Sequence, residues 1–597
     1  MPESLLEGLD PEQRQIAECL RGPVAVLAGA GTGKTRTITH RIAHGVRTGA
    51  YAPERVLAVT FTRKAAGELQ ARLRGLGAEG VSAQTFHGAA LAQLGYFWPQ
   101  LVGGSAPQLL SGGKATVLAQ AADGLRLRLP PETLRDIAAE IEWRKNSMLS
   151  LEGYAAMLDR GATDGTGERS DTPDSPDRSA RLGRDHPRDS RAPGAGARPV
   201  PTGLTAEQLL DMQERYGALL DERRLIDFED VLILATGLLE TEPRAAMQMR
   251  ERYRFFTVDE YQDVNPLQHA LLRVWLGDRD DVCVVGDASQ TIYGFTGASG
   301  AYLLRFGQEH PNAREFRLER NYRSTEPIVR LANRLMRERP GALALQALRG
   351  EVDPASANPP SFEWFASDQD EAEAVAASIR AAISDGTPAA EIAVLYRTNA
   401  QSAAVEAALQ RAGTDARVHG AQRFFDRAEV RQAVMVMRGQ AKVVDDRPLF
   451  QIVSDVLRAC GWQSEPPEGG AAREKWQALN AILSLVDEQP PGTTVQAFSE
   501  ELLARSRAHH EPSLDAVTLS AVHAAKGLEW SLVHVIGMSE GLLPIVHAES
   551  EAAIDEERRL AYVAFTRARD ALRISGSAGG ARGRRVPSRF LVESGLR

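Results

Sequence analysis

Two separated groups of residues in this 597-residue chain are suited to phosphoryl chemistry. The first is Ala28-Gly29-Ala30-Gly31-Thr32-Gly33-Lys34-Thr35, which follows the apolar run Val24–Leu27 and opens a helical stretch from Thr35 to about Ala43. Glycines at 29, 31 and 33 let backbone N–H groups close around phosphate oxygens. Lys34 brings a positive charge to the β- and γ-phosphates of a nucleotide, the Thr35 hydroxyl suits Mg²⁺, and Arg36 follows directly. The strict form of this phosphate loop begins with glycine, so Ala28 makes it a variant.

The second group is Asp259-Glu260, which ends the apolar run Phe255–Val258. Ligands of open α/β sheets sit at the carboxyl ends of strands, where this pair is expected. Asp259 would hold the metal through its coordinated waters, and Glu260 would polarise an attacking water. Gln290, shortly after Gly286-Asp287, is the candidate sensor of a γ-phosphate. An Asp-Glu pair alone is an ordinary solvated strand end. Joined to a phosphate loop, it points to nucleotide hydrolysis with Mg²⁺ as the expected metal.

These side chains need parallel sheets to hold them. Val24–Leu27, Val56–Val59, Phe255–Val258 and Val282–Val285 read as buried strands of a first lobe. Ile392–Leu395, Val517–Ser520, Leu532–Val535 and Leu572–Ile574 read as those of a second. Helical stretches such as Asp136–Arg144 lie between them, which is the alternation of an α/β protein. From about Arg160 to Gly203 the chain is rich in Pro, Gly, Ser, Asp and Arg, and reads as a disordered loop that cannot offset its ordering entropy.

The length suggests about three to five domains. A composition of 43% apolar and 25% charged residues is that of a globular protein, and the net charge of −9 means that any nucleic-acid contact must come from a local groove. Cys19, Cys283 and Cys460 form no Cys-x-x-Cys pair, which argues against a zinc or disulfide framework and fits a reducing cytoplasm. The N-terminus lacks the pattern of a signal peptide, and no apolar run reaches the ~20 residues of a membrane span. A cytoplasmic location without membrane contact is expected.

The ordered series of motifs resembles the UvrD/Rep/PcrA family of superfamily 1 DNA helicases over nearly the whole chain. It begins with Leu9-Asp10-Pro11-Glu12-Gln13, then 59–66 and Thr85-Phe86-His87. Ile226-Asp227-Phe228-Glu229-Asp230, Asp259–Asp263, Val285–Tyr293 and Leu318–Thr325 follow, and His523–Glu529 and Glu556–Arg567 complete it. The segment 291–298 resembles an actinobacterial branch of the family. The resemblance implies two RecA-like P-loop NTPase lobes, parallel sheets flanked by helices, each with a mainly helical insertion. It sets lobe 1A at 1–90 and 216–304, insertion 1B at 91–215, lobe 2A at 305–422 and 514–597, and a reduced insertion 2B at 423–513.

The resemblance also assigns roles. Gln13 would read the adenine edge, Tyr322 would stack on the base, and Glu529 would contact the nucleotide from the second lobe. Arg323 and Arg567 would act as arginine fingers on the γ-phosphate. Phe61, Phe86, Tyr293 and Phe295 would stack on single-stranded DNA, with Thr60, Arg63, Thr85, His87 and His523 as polar or phosphate partners. Taken singly, Phe61 and Phe86 also read as core residues, with DNA contact the favoured reading. ATP hydrolysed between the lobes would drive movement from 3′ to 5′ along single strands or tailed duplexes, in repair or replication, in a bacterial cytoplasm at the nucleoid. A monomer or weak dimer is expected.

Several departures stand out against the family pattern. Phe295 replaces a more usual Trp, Thr296 a more usual Arg, and Arg63 a common Asn. About ninety residues separate Arg427 from Val517, few for a second insertion, and the chain reaches Arg597 without the tetracysteine and HRDC modules of the actinobacterial branch. These departures motivate an alternative, a translocase that displaces bound proteins with little unwinding of its own. A binding adaptor with a vestigial nucleotide site conflicts with the intact Lys34, Asp259, Glu260 and Arg323. A nuclease subunit lacks a suitable Asp/Glu-x-Lys cluster after Arg567.

Overall fold

A computed structural model describes residues 5–164, 200–201, 203–349, 359–419, 425, 428–440, 447–465, 470–487, 489–490, 492–508, 515–579 and 584–597. The chain divides into two compact units. The first comprises Met1–Leu27, Thr37–Phe61 and Arg72–Phe316, and the second Ala28–Arg36, Thr62–Ala71 and Arg317–Arg597.

The first unit is organised by a six-stranded sheet in the order Ser82–Thr85, Val56–Thr60, Phe255–Val258, Val282–Gly286, Val24–Ala28, Arg314–Leu318. Neighbours from Ser82–Thr85 to Val24–Ala28 pair in parallel, with Val24 opposite Cys283 and Val56 opposite Phe255. The central strands are buried throughout because helices cover both faces of such a sheet. The four apolar runs expected as first-lobe strands are all strands. Ser82–Thr85 and Arg314–Leu318 are further strands, half-exposed and polar, with no apolar run to mark them.

The helical insertion of this unit has its own core, in which Leu118, Ile137, Ile141, Tyr154, Leu209 and Tyr216 pack together. Helix Pro131–Asn146 contains the expected segment Asp136–Arg144. Helix Leu151–Asp164 runs into the stretch read as a loop from Arg160, and most of the rest of that stretch lies outside the described residues.

In the second unit another six-stranded sheet runs Ser361–Phe365, Ala568–Ser577, Trp530–Val535, Ile392–Tyr396, Val517–Ala521, Ala416–Val418, with every neighbouring pair parallel. It includes all four strands expected there. A separate helical group, Ala428–Gln440, Leu449–Ala459, Gly470–Asp487 and Val495–Ala508, buries Val430, Ile452, Leu457, Leu479, Ile482 and Phe498.

Candidate functional site

In the first unit the carboxylates lie where the strand order predicts. Asp259 is buried just beyond the C-terminal end of Phe255–Val258, and its Oδ1 accepts from the Glu260 N–H at 2.9 Å. Glu260 has φ 55° and ψ 40°, a left-handed conformation that strains a side-chain-bearing residue and recurs at functional sites. Gln262, fully buried, ties this strand end to the next. Its Nε2 donates to Glu260 at 2.5 Å, and its Oε1 accepts from the Asp287 N–H at 2.9 Å. Asp287 in turn accepts from Gln290 Nε2 at 2.7 Å and from the Ser289 N–H at 3.0 Å. Glu260 and Gln290, expected as water activator and phosphate sensor, are thus joined through Gln262 and Asp287. No spacing rule singled out those two connecting residues.

Gln13 sits in the first helix, Pro11–Glu18, in a reciprocal capping box. Its N–H donates to Asp10 at 2.8 Å, and its Oε1 accepts from the Asp10 N–H at 3.4 Å. The pattern Asp10-Pro11-Glu12-Gln13 carries that signal openly, with a capping carboxylate, proline at the first helical position and an amide at the third.

The phosphate loop groups with the second unit. Ala28 is the buried last residue of its strand, so the turn proper starts at Gly29. The Gly29 N–H donates to the Leu318 carbonyl at 3.1 Å, and a Cβ on Gly29 would lie 2.2 Å from Leu345. Gly31 has φ +69°, and a Cβ there would lie 2.7 Å from both Arg323 Cβ and Asn321 Nδ2. Only glycine fits that approach. Asn321, buried and not anticipated, donates to the Ala30 carbonyl at 2.7 Å, while its Oδ1 accepts from the N–H groups of Arg323 (2.9 Å) and Ser324 (2.8 Å). The Tyr322 N–H donates to the Gly31 carbonyl at 2.9 Å. Thr32 Oγ1 donates to the Gly29 carbonyl at 2.9 Å, and Gly33 has φ +79°. Lys34 and Thr35 start the helix Lys34–Arg47, and Arg36 is exposed.

The remaining nucleotide candidates also lie in the second unit. Tyr322 is 41% exposed. Arg323 pairs with Glu529 at 2.5 Å and donates to the Thr566 carbonyl at 3.3 Å, so these two expected site residues meet. Arg567 is 1% exposed. Its guanidinium donates to the carbonyls of Val563 (2.9 Å) and Leu528 (3.1 Å) and to Thr566 Oγ1 (3.1 Å), which tie it down inside its own lobe.

The expected DNA contacts separate into exposed and buried groups. Phe61 stacks on Tyr293 with ring centroids 5.4 Å apart at 15°, and Phe295 meets Tyr293 edge-on at 6.1 Å with half its surface exposed. Phe86 corrects the expectation. It is 3% exposed and stacks on the buried Trp275 at 5.8 Å, so it is a core residue with no face for a base. Thr85 Oγ1 accepts from the Gly88 N–H at 3.0 Å as the cap of helix Phe86–Leu101, and Thr60 is buried at its strand end. Arg63 is exposed on the first turn of Arg63–Gly75.

His87 stacks on Phe228 at 4.1 Å. Burial, reinforced by Lys114, holds its imidazole down at about 4. Burial, with Arg397 and Lys526, does the same to His523, also to about 4. Both values lie well below physiological pH, where the rings of the DNA-free protein are neutral. Phe228 was not anticipated as a ring; it is 45% exposed and begins helix Phe228–Thr241 behind the Asp227 capping box. Asp227 and Asp230 both bind Lys145, at 2.8 and 2.7 Å, and Lys114 binds Glu229 at 2.5 Å. Although burial opposes ionisation of Asp227, Lys145 and Lys114 bring it down to about 2. Burial instead pushes Glu229 up to about 7.

A Thr35 hydroxyl and an Asp259 carboxylate are hard oxygen donors of the kind Mg²⁺ prefers, so their chemistry fits that ion beside nucleotide phosphates. Among the described residues no group of three or more His, Cys, Asp and Glu forms a metal cage, and no helix is long and apolar enough to cross a membrane.

Comparison with known proteins agrees with this geometry. Residues 9–311 match the UvrD/REP helicase N-terminal domain, and residues 316–465 and 470–578 match the UvrD-like helicase C-terminal domain. The chain is 43% identical to the ATP-dependent DNA helicase UvrD2 of Mycobacterium tuberculosis, over 99% of this chain and 82% of that protein. It is 29% identical to DNA helicase II of Escherichia coli (96% and 84% covered) and 27% identical to the ATP-dependent DNA helicase PcrA of Staphylococcus aureus (99% and 86%).

Proposed function

The chain belongs to the UvrD/REP helicase family, and we propose that it is an ATP-driven DNA helicase that moves from 3′ to 5′ along single-stranded DNA. The observation that carries this reading is one short segment. Gln290, hydrogen-bonded through Asp287 and Gln262 to Glu260, is followed directly by Tyr293 and Phe295. The candidate γ-phosphate sensor and the rings expected to hold a base share a single stretch of backbone, which would pass a shift from one end to the other.

In this reading Lys34 and the loop amides hold the triphosphate, Gln13 and Tyr322 hold the adenine, and Glu260 orients the water. Arg323 and Arg567 act on the leaving phosphate, and Glu529 sets Arg323 before the nucleotide arrives. Mg²⁺, held by Thr35 and Asp259, supplies charge neutralisation at the phosphates. Phe61, Tyr293, Phe295 and Phe228 form the stacking surface for bases, with Arg63 and the neutral His87 and His523 as polar contacts. DNA repair or replication is the corresponding setting, in a bacterial cytoplasm, with the chain acting as a monomer or weak dimer.

ATP hydrolysis measured with and without an oligothymidylate tests this. Strong stimulation by DNA, abolished in Lys34→Ala and Glu260→Gln, is expected. Hydrolysis that no nucleic acid stimulates would sink the proposal. The short span between Arg427 and Val517 supports a second reading, translocation that clears bound proteins without opening duplexes. Efficient opening of a tailed duplex by the protein alone excludes that reading.

A further inference from the structure

The last turn of helix Pro131–Asn146 presents three consecutive polar residues, each bonded to a different part of the first unit. Arg144 donates to Gln213 at 2.7 Å and to the Leu149 carbonyl at 2.9 Å. Lys145 holds Asp227 and Asp230 at the start of helix Phe228–Thr241. Asn146, only 4% exposed, donates from Nδ2 to the Thr296 carbonyl at 3.0 Å. A carbonyl only accepts, so the amide must turn its nitrogen toward Thr296.

That bond lands on the turn Gly294–Thr296, which displays Phe295. Thr296 Oγ1 closes the turn by donating to the Tyr293 carbonyl at 2.8 Å, and Gly297 ends it at φ +90°. A Cβ on Gly297 would lie 3.5 Å from both Asn146 Cβ and Ser147 Oγ, so the turn rests directly on the helix end. Phe295 is therefore exposed on a turn whose backbone is fixed from beneath. Its neighbour Tyr293 is fixed separately, by stacking on Phe61.

We propose that Asn146 is a positioning residue for single-stranded DNA: by holding the Thr296 carbonyl it sets the Phe295 ring against the Tyr293–Phe61 stack before a base arrives. This rests on the motor reading above and deepens its DNA site. Fixing a binding loop in advance lowers the ordering cost of binding. The helical insertion thereby sets the geometry of the track, with Lys145 keeping the helix end in register. The backbone carbonyl at position 296 takes the hold, so the uncharged Thr296 side chain is compatible with an ordered turn.

The test is a titration of the full chain's ATPase with oligothymidylate, for wild type, Asn146→Ala, Asn146→Asp, Phe295→Ala and the Asn146→Ala/Phe295→Ala pair. Asn146→Asp keeps the volume of the buried side chain and, ionised at the alkaline pH of the assay, has no proton to donate to the carbonyl, so the test does not hinge on the folding of one variant. The expected result is an approximately five- to tenfold rise in the DNA concentration for half-maximal stimulation in both Asn146 variants, the range of one lost hydrogen bond. DNA-free hydrolysis and the KM for ATP stay unchanged. In the Phe295→Ala background the Asn146 substitution adds nothing, because its effect passes through that ring. Unchanged half-saturation in both variants, or effects that simply add, overturns the positioning role while the motor reading stands. A wild-type ATPase that DNA does not stimulate overturns both.

Discussion

Asn321 donates its side-chain amide to the Ala30 carbonyl at 2.7 Å, joining the phosphate loop to the turn that carries Tyr322 and Arg323. The same side chain accepts from the Arg323 and Ser324 N–H groups. Asn321→Ala leaves buried donors and an acceptor unsatisfied and releases both the loop and the arginine turn. We expect kcat/KM for ATP to fall about ten- to a hundredfold, as misplacement of about an ångström does. Nucleotide-free DNA affinity, read by fluorescence anisotropy, should stay within about twofold of wild type, since Asn321 bonds none of the residues expected to hold DNA.

Gln262 divides its amide between Glu260 and Asp287. Gln262→Ala leaves Glu260 in place but unaimed. Steady-state kinetics should show kcat reduced by about ten- to a hundredfold, within the usual contribution of a positioned acid or base, with little change in KM. A raised KM with normal kcat would instead assign Gln262 to nucleotide binding.

Phe86 and Phe295 belong to two separate motifs of the same resemblance and differ in burial. Phe86→Ala removes a ring packed on Trp275 and should cost about 3–5 kcal/mol, visible as a lower melting temperature. Phe295→Ala should leave the melting temperature unchanged and weaken single-strand binding about tenfold, within the range of one stacked base. The reverse pattern would restore Phe86 as a DNA contact.

The half-buried His87 and His523 set a pH dependence of stability. Their folded-state values of about 4 lie below the ordinary 6.5, so the unfolded chain takes up protons first as the pH falls. The stability they hold above about pH 6.5 is lost as the pH falls toward 4, by at most about 3 kcal/mol for each ring. Denaturation measured across that window should show this loss, reduced in His87→Asn. Single-strand affinity should show no His87- or His523-dependent step between pH 6 and 8. A step near 6.5 that disappears in either Asn variant would show a charged imidazole at the DNA.

The parts of this molecule legible in sequence are those with a repeating physical signature. The runs Val24–Leu27, Phe255–Val258 and Ile392–Leu395 are strands buried on both faces, and such strands must be continuously apolar. Edge strands carry no such constraint, which is why Ala416–Val418 and Ser361–Phe365 left no mark. Lys34, Asp259 and Glu260 were readable because their chemistry demands fixed spacing to a loop or strand end. Gln262, Asn321 and Asn146 each reach a residue distant in sequence (Asp287, Ala30 and Thr296), and no residue pattern shows that reach in advance. Burial decided the rest. Phe86 and Phe295 are equally aromatic, and only packing separates a core ring from an exposed one.

The central claim is that hydrolysis at Lys34 and Glu260 drives movement from 3′ to 5′ along one strand. The most direct measurement is strand displacement on two duplexes identical except for a 3′ or a 5′ single-stranded tail, with ATP and Mg²⁺. The account predicts opening of the 3′-tailed duplex, none of the 5′-tailed one, and none of either by Lys34→Ala. Opening of the 5′-tailed duplex alone, or equal opening with Lys34→Ala, would contradict it.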